Sequence, residues 1–111
     1  MKVTKDLIEQ SFIEYNKLYF GNKLPKPKFY ILMKKRPFGM CIRGKGECEI
    51  WISKFITDEK FFKNILIHEM IHQYVYQILH GFTYTIIQHG LLFHYVRWKL
   101  IRKYHLEIRP N

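Results

Sequence analysis

The sequence predicts one small α+β domain with an N-terminal helix, a short three-stranded sheet, a central helix and a further C-terminal helix. Three observations support this fold class. The chain has 111 residues, of which 48% are hydrophobic, and this is enough for one core and too little for two. Apolar residues recur at helical spacing in three segments. Between the first two of these segments, short runs are rich in β-branched and aromatic residues, which is typical of strands.

The first helix is predicted to run from Thr4, whose hydroxyl can cap the N-terminus, to about Phe20. Gly21 can end it, and Pro25 and Pro27 prevent it from resuming. Its inner side carries apolar and aromatic residues at helical spacing: Leu7, Ile8, Phe12, Tyr15 and Tyr19.

Three strands are predicted at residues 29–33, 39–42 and 47–52. A turn signal, Gly-Lys-Gly at 44–46, separates the last two and predicts a hairpin. If its first two residues form the turn, Cys41 and Cys48 lie opposite each other. We expect both to be buried, reduced thiols, with a cross-strand disulfide and a second metal site as less favoured alternatives.

The central helix is predicted to begin after a cap at Thr57, to have an acidic first turn, and to run to Gly81. A third helix is predicted to start near His89 and to end around Lys103. The remaining tail, 104–111, is expected to be coil or a short strand.

The central helix contains His68, Glu69, Met70, Ile71 and His72, an H-E-x-x-H motif. Residues four apart lie on one helical face, so the two histidines can direct their imidazole nitrogens at a single metal ion. Glu69 stands beside the first histidine, where its carboxylate can take a proton from a water that the metal activates. The flanking residues are apolar, which predicts a buried helix in which these polar groups are costly unless a metal satisfies them.

A catalytic zinc site requires a third protein ligand. His80 lies on the same predicted helix about 12 Å beyond His72, which is too far to share the metal. His89 is the preferred candidate, because it opens a new segment and the glycine after it permits a close approach. His94 is the alternative, and the five-residue spacing prevents both from serving on one regular helix. Zinc is the expected metal, although histidines also accept manganese, cobalt or nickel.

Three segments together resemble the SprT-like (Spartan-type) metallopeptidase family. That family has a phrase like F-G-x-x-L-P after its first helix, then H-E-x-x-H, then H-G-x-x-F; here residues 20–25 read FGNKLP, residues 68–72 read HEMIH and residues 89–93 read HGLLF. The resemblance implies a zincin-like domain, zinc bound by His68, His72 and His89, and catalysis by Glu69. It also implies hydrolysis of peptide bonds in proteins that are bound or crosslinked to DNA.

The chain departs from the family in two ways. The interior of H-G-x-x-F is often Pro-Glu in the family and is Leu-Leu here, at residues 91–92. Many relatives carry a C-terminal zinc ribbon, whereas we expect residues 1–111 to form a single SprT-like domain without one. These departures keep an alternative open, a zinc-stabilised module that binds nucleic acid or acts as an adaptor and has no protease activity.

The charge predicts a polyanionic partner. Nineteen lysines and arginines against nine acids give a net charge of +10, which favours DNA through phosphate neutralisation at a basic surface. The basic residues cluster in three places: Lys23, Lys26 and Lys28; Lys34, Lys35 and Arg36; and Arg97, Lys99, Arg102 and Lys103. The N-terminus has no apolar signal region and no segment is apolar enough for a membrane span, so we expect a cytoplasmic protein, with association with the nucleoid as an option, and no membrane partner.

Overall fold

The computed structural model describes residues 1–79 and 90–110, and within them it confirms the α+β class. In chain order, the elements are α1 (Lys5–Tyr19), β1 (Lys28–Leu32), β2 (Gly39–Gly44), β3 (Glu47–Ser53), α2 (Glu59–Gln77) and α3 (Leu91–Tyr104). None of the helices in the described part of the chain combines the length and the apolar character that crossing a membrane requires.

Helix α1 begins at the cap that the sequence predicts. The Thr4 hydroxyl accepts a hydrogen bond from the Leu7 N–H at 3.1 Å. The helix ends at Tyr19, and the chain then turns through Gly21, whose φ of 60° lies in the left-handed region that glycine tolerates. The buried Asn16 side chain fixes the segment that follows, because its amide donates to the Leu24 carbonyl at 3.0 Å and its oxygen accepts from the Leu24 N–H at 3.2 Å.

The sheet has the strand order β1-β3-β2, with β1 parallel and β2 antiparallel to β3. Strand β2 is therefore an edge strand. The predicted hairpin is present, but its turn is formed by Lys45 and Gly46, one residue later than the predicted Gly44-Lys45 turn. Both turn residues have positive φ, 52° and 78°, which a two-residue hairpin turn with the twist of the strands requires.

The one-residue difference changes how the cysteines are placed. The prediction that they lie directly opposite each other is wrong, since Cys41 pairs with Ile50 and Cys48 pairs with Arg43. They are diagonal neighbours on one face of the hairpin. Both are free thiols, as predicted, with Cys48 buried and Cys41 partly exposed.

The boundaries of the later helices also differ from the prediction. The cap of α2 is Asp58 and not Thr57, because the Asp58 carboxylate accepts from the Phe61 N–H at 2.8 Å. Helix α2 ends at Gln77, four residues before the predicted end at Gly81. Helix α3 begins at Leu91, directly after Gly90, and continues one residue beyond the predicted Lys103.

Helix α2 forms the centre of the fold and contacts β2, β3, α1 and α3. Every residue from Ile65 to Gln73 is buried, which agrees with the apolar flanks of the motif in the sequence. The tail after α3 is coil, yet it belongs to the core. Ile108 is 4% exposed, and the Arg97 guanidinium donates to the Ile108 carbonyl at 2.7 Å. These contacts hold the tail against α3 and in the core.

Candidate metal centre

Helix α2 brings together three of the residues that the motif identified. Each of His68, Glu69 and His72 offers one ligand atom, and these atoms all lie within 4.8 Å of one another. The three side chains are only 5%, 6% and 7% exposed. Within residues 1–79 and 90–110, these three residues are the one cluster of three or more potential ligands that lie at metal-binding distances from one another. The arrangement follows from the helix itself, because four residues make slightly more than one turn.

The tail orients the first histidine. His68 Nδ1 lies 2.8 Å from the backbone carbonyl oxygen of Arg109. A carbonyl oxygen only accepts hydrogen bonds, so Nδ1 carries the proton and donates it, and the ring presents the lone pair of Nε2. A second hydrogen bond fixes the carbonyl, since the Arg109 N–H donates at 2.7 Å to Asn64, one helical turn before His68. Metal-binding histidines are commonly held in this way.

Helix α3 supplies an apolar wall. Phe93 is 2% exposed, and its ring centroid lies 4.8 Å from that of His68 and 4.5 Å from that of His72. Phe93 is the last residue of the H-G-x-x-F segment, so this end of the segment lies against the motif. His89 lies outside the described residues, and its ligation stays a prediction. His94 is exposed on α3 and is not a member of the three-residue group.

The buried carboxylate has unusual acid-base properties. Burial raises the pKa of Glu69 to about 8, because the charged form loses its hydration, and the positive charge of Arg43 acts in the opposite direction. Two imidazoles and a carboxylate in an apolar interior are costly unless they are paired. These donors fit a divalent cation that prefers nitrogen ligands, and a cation would offset that cost.

Gly39 of β2 allows the sheet to approach this carboxylate closely. A Cβ atom at that position would lie 2.8 Å from Ile65 Cγ2 and 3.0 Å from Glu69 Oε2. Only a residue without a side chain lets the strand pack there. The sequence signal for this contact is a glycine at the start of a predicted strand.

A cleft of about 580 Å³, which we call the β2–α2 cleft, opens over the group. It is formed by residues 36–43, by Ile65, His68, Glu69 and His72 of α2, and by Arg109 of the tail. Its size is typical of a pocket that holds a small ligand or part of a peptide. Sequence reasoning missed the contribution of the tail, because nothing in residues 104–111 indicates a contact with residue 68.

Cys41 is part of the wall of this cleft. A hydrogen bond to Cys48 raises the pKa of the Cys41 thiol, and burial raises it further. Cys41 is therefore a protonated thiol near the Glu69 carboxylate. The cysteine pair is not part of any metal-binding group in the described ranges, so the structure lends no support to a second metal site there.

The fold and the site define the class of this protein as a small α+β domain with a candidate metal centre of the H-E-x-x-H type on its central helix. A sequence model of the SprT-like family matches residues 8–108, which is nearly the whole chain. The chain belongs to the SprT-like family. No curated protein sequence matches it.

Proposed function

We propose that this protein is a zinc-dependent peptidase in which His68, His72 and His89 hold the metal and Glu69 is the general base. One observation carries the proposal: the buried histidines and the glutamate converge within 4.8 Å in a chain that belongs to the SprT-like family. A purely structural metal site needs ligands but no adjacent base, and the carboxylate is buried beside the histidines at the floor of an open cleft.

Each residue has a defined part in peptide hydrolysis. A bound zinc ion would supply the Lewis acidity that activates water and polarises a carbonyl. His68, fixed by the Arg109 carbonyl, and His72 offer nitrogens that lie within 4.8 Å of each other. Glu69 accepts a proton from the attacking water and then delivers it to the leaving amine. Burial strengthens the carboxylate as a base, and Arg43 favours its ionised form, as their opposite effects on its pKa indicate.

The decisive experiment compares the zinc content and proteolysis of two glutamine variants on the same helix. Glu69→Gln keeps the size of the side chain and removes the base, so we expect it to retain zinc and to lose activity by a factor of about 10² to 10⁴. Glu59→Gln, at an exposed position in the first turn of α2, is the matched control and should resemble the wild type. A Glu69→Gln protein that binds zinc and still cleaves casein at the wild-type rate would refute the proposed base.

The third ligand requires a separate comparison. Zinc content should fall sharply in His89→Ala and stay at one ion per chain in His94→Ala, because His94 is exposed on α3 and lies outside the buried group. The reverse result would assign the third ligand to His94. Zinc analysis of purified, reconstituted protein decides between the two without depending on activity.

We also propose that the substrates are proteins bound or crosslinked to DNA, with the basic surface holding the nucleic acid. The net charge of +10 supports this, and so does α3, which carries four basic residues and no acidic one. DNA affinity should fall steeply with salt concentration, as counterion release requires, and DNA should increase the cleavage of a bound protein. Zinc and DNA binding without any proteolysis would instead favour the alternative of a binding or adaptor module.

A further inference from the structure

We propose that the β2–α2 cleft selects acidic peptide segments, with Arg43 on one side of the cleaved bond and Arg36 and Arg109 on the other. This inference rests on the proposed peptidase function and specifies its substrate class. All three arginines line the cleft, and Glu69 is the one acidic residue among the cleft residues. The cleft is therefore strongly cationic around a single buried carboxylate.

Two of the arginines are held at one end of the cleft by aromatic rings. The Arg109 guanidinium carbon lies 5.2 Å from the Phe38 ring centroid and 5.8 Å from that of Phe61. The Arg36 guanidinium carbon lies 5.5 Å from the Phe38 ring. The two phenylalanine rings pack edge to face at 4.8 Å and form one platform. Stacking orders the guanidinium groups without using their N–H donors, which stay available for a carboxylate.

The third arginine lies at the other end. Helix α2 and strand β2 run side by side in the same direction, as two contacts show: Gly39 packs on Ile65 and Glu69, and the Tyr76 hydroxyl accepts from the Gly46 N–H at 2.9 Å. Arg43 is four residues after Gly39, about 13 Å further along the strand. The Glu69 carboxylate, which lies beside Gly39, is thus between Arg43 and the pair on Phe38, and an extended peptide of about four residues spans the stretch from Gly39 to Arg43.

None of the three arginines forms an ion pair with an acidic side chain within the described part of the chain, where the ion pair joins Lys26 and Glu9; Arg43 acts on Glu69 only at longer range. Arg43 and Arg109 are partly buried, and Arg36 is exposed. Guanidinium groups without an ion pair are suited to a carboxylate from a ligand, since arginine binds carboxylates through two parallel hydrogen bonds. The phosphates of DNA offer similar chemistry. A peptide fits better because the cleft is small and the residues that line it include the apolar Met40, Ile42 and Ile65.

The test uses three fluorogenic peptides that share a neutral central sequence and differ only in their flanks, which carry glutamate, glutamine or lysine. With zinc-loaded wild-type protein, we expect kcat/KM for the acidic peptide to exceed that for the neutral one about tenfold, and the basic peptide to be the poorest. The ratio of acidic to neutral cleavage should fall toward one in Arg43→Gln and in the double variant Arg36→Gln/Arg109→Gln.

Two controls separate specificity from general effects. Lys17→Gln, which removes one positive charge from the exposed face of α1, should keep the wild-type ratio. Arg43→Lys should restore part of the preference that Arg43→Gln loses, because it returns the charge without the planar donor pair. Because the neutral peptide is the reference in every protein, any effect of Arg43 on the base itself cancels from the ratio.

The outcomes distinguish this inference from the proposed function. Equal cleavage of acidic and neutral peptides by the wild type would overturn the acidic preference and leave the peptidase intact. If no peptide is cleaved, the peptidase proposal fails, and binding of the same peptides to the zinc-loaded Glu69→Gln protein, measured by fluorescence anisotropy, still tests the preference. Inhibition of neutral-peptide cleavage by a short oligonucleotide, abolished in the arginine variants, would assign the arginines to phosphate and overturn the inference.

Discussion

Helix α2 and the tail after α3 both reach the metal centre, but they do so in different ways. Helix α2 places His68 and His72 on one face through local geometry alone. The tail reaches the same site through long-range contacts: Ile108 is buried in the core, and Arg109 bonds to His68 across 41 positions of the sequence. A short motif thus determines which side chains can bind a metal, whereas the tertiary fold determines how their rings are oriented.

The largest expected effect comes from removing a ligand that α2 places by local geometry. His72→Ala removes one of two neighbouring ligands from α2, and we expect the zinc content to fall from one ion per chain to near zero. Zinc should raise the melting temperature of the wild type, because a ligand that binds only the folded state stabilises it, and this rise should vanish in the variant. A His72→Ala protein that retains stoichiometric zinc would show that the metal lies elsewhere. His105→Ala, at an exposed position just after α3, is the control.

The buried carboxylate predicts a pH dependence in the metal-free protein. The pKa of Glu69 is raised from 4.5 to about 8 by burial, so the folded state binds its proton more tightly than the unfolded state does. Its contribution to stability is fully present below about pH 4.5 and is lost as the pH rises through about 8. The free energy of unfolding of the metal-free wild type, measured with urea, should therefore fall by a few kcal/mol across this window, relative to that of Glu69→Gln.

The two proteins differ only at residue 69, so the difference between their stability curves isolates the carboxylate. Parallel stability curves from pH 5 to pH 8 would show that Glu69 is hydrated in solution and would contradict its burial.

A substitution at Gly39 tests the contact between strand β2 and the H-E-x-x-H motif. In Gly39→Ala, the new methyl group would lie 2.8 Å from Ile65 Cγ2 and 3.0 Å from Glu69 Oε2, so the strand or the carboxylate must move. We expect a loss of about 1–3 kcal/mol in the free energy of unfolding and a reduced rate of peptide cleavage. Gly44→Ala is the matched control in the same strand, because nothing lies within 4 Å of a Cβ atom there. Equal effects of both substitutions would exclude a specific role for the close approach.

The predictable features are those that depend on neighbours in the sequence. The H-E-x-x-H motif, the Thr4 cap and the three strands could be read from spacing and residue type, and the structure confirms them. The cap of α2 was placed one residue early, because Thr57 and Asp58 are both good capping residues and the choice depends on how the chain leaves β3. The hairpin turn differed by one residue for a similar reason, since two glycines flank Lys45 and either pairing gives a turn.

The features that could not be predicted arise from tertiary contacts. A backbone carbonyl has no sequence signature, so neither the bond from His68 to Arg109 nor the role of Asn64 could be foreseen. The same holds for the arginine pair on Phe38, which joins the loop before β2 to the tail. Residue identity predicted the chemistry of the centre, and only the fold reveals what orients it.

A substitution at Asn64 tests whether the tail orients His68, and it has the smallest expected effect. Asn64→Ala removes the acceptor of the Arg109 N–H and frees the carbonyl that orients His68, while it leaves every potential ligand in place. We expect a loss of about 1 kcal/mol in stability and a zinc affinity about tenfold lower, measured by competition with a chelator. Asn64→Asp keeps an acceptor oxygen and should retain most of the affinity. Zinc affinity is compared at a temperature where both variants are folded, so that a loss of stability does not affect the comparison. Equal zinc affinities in Asn64→Ala and Asn64→Asp would show that the tail packs against α2 without orienting the metal ligand.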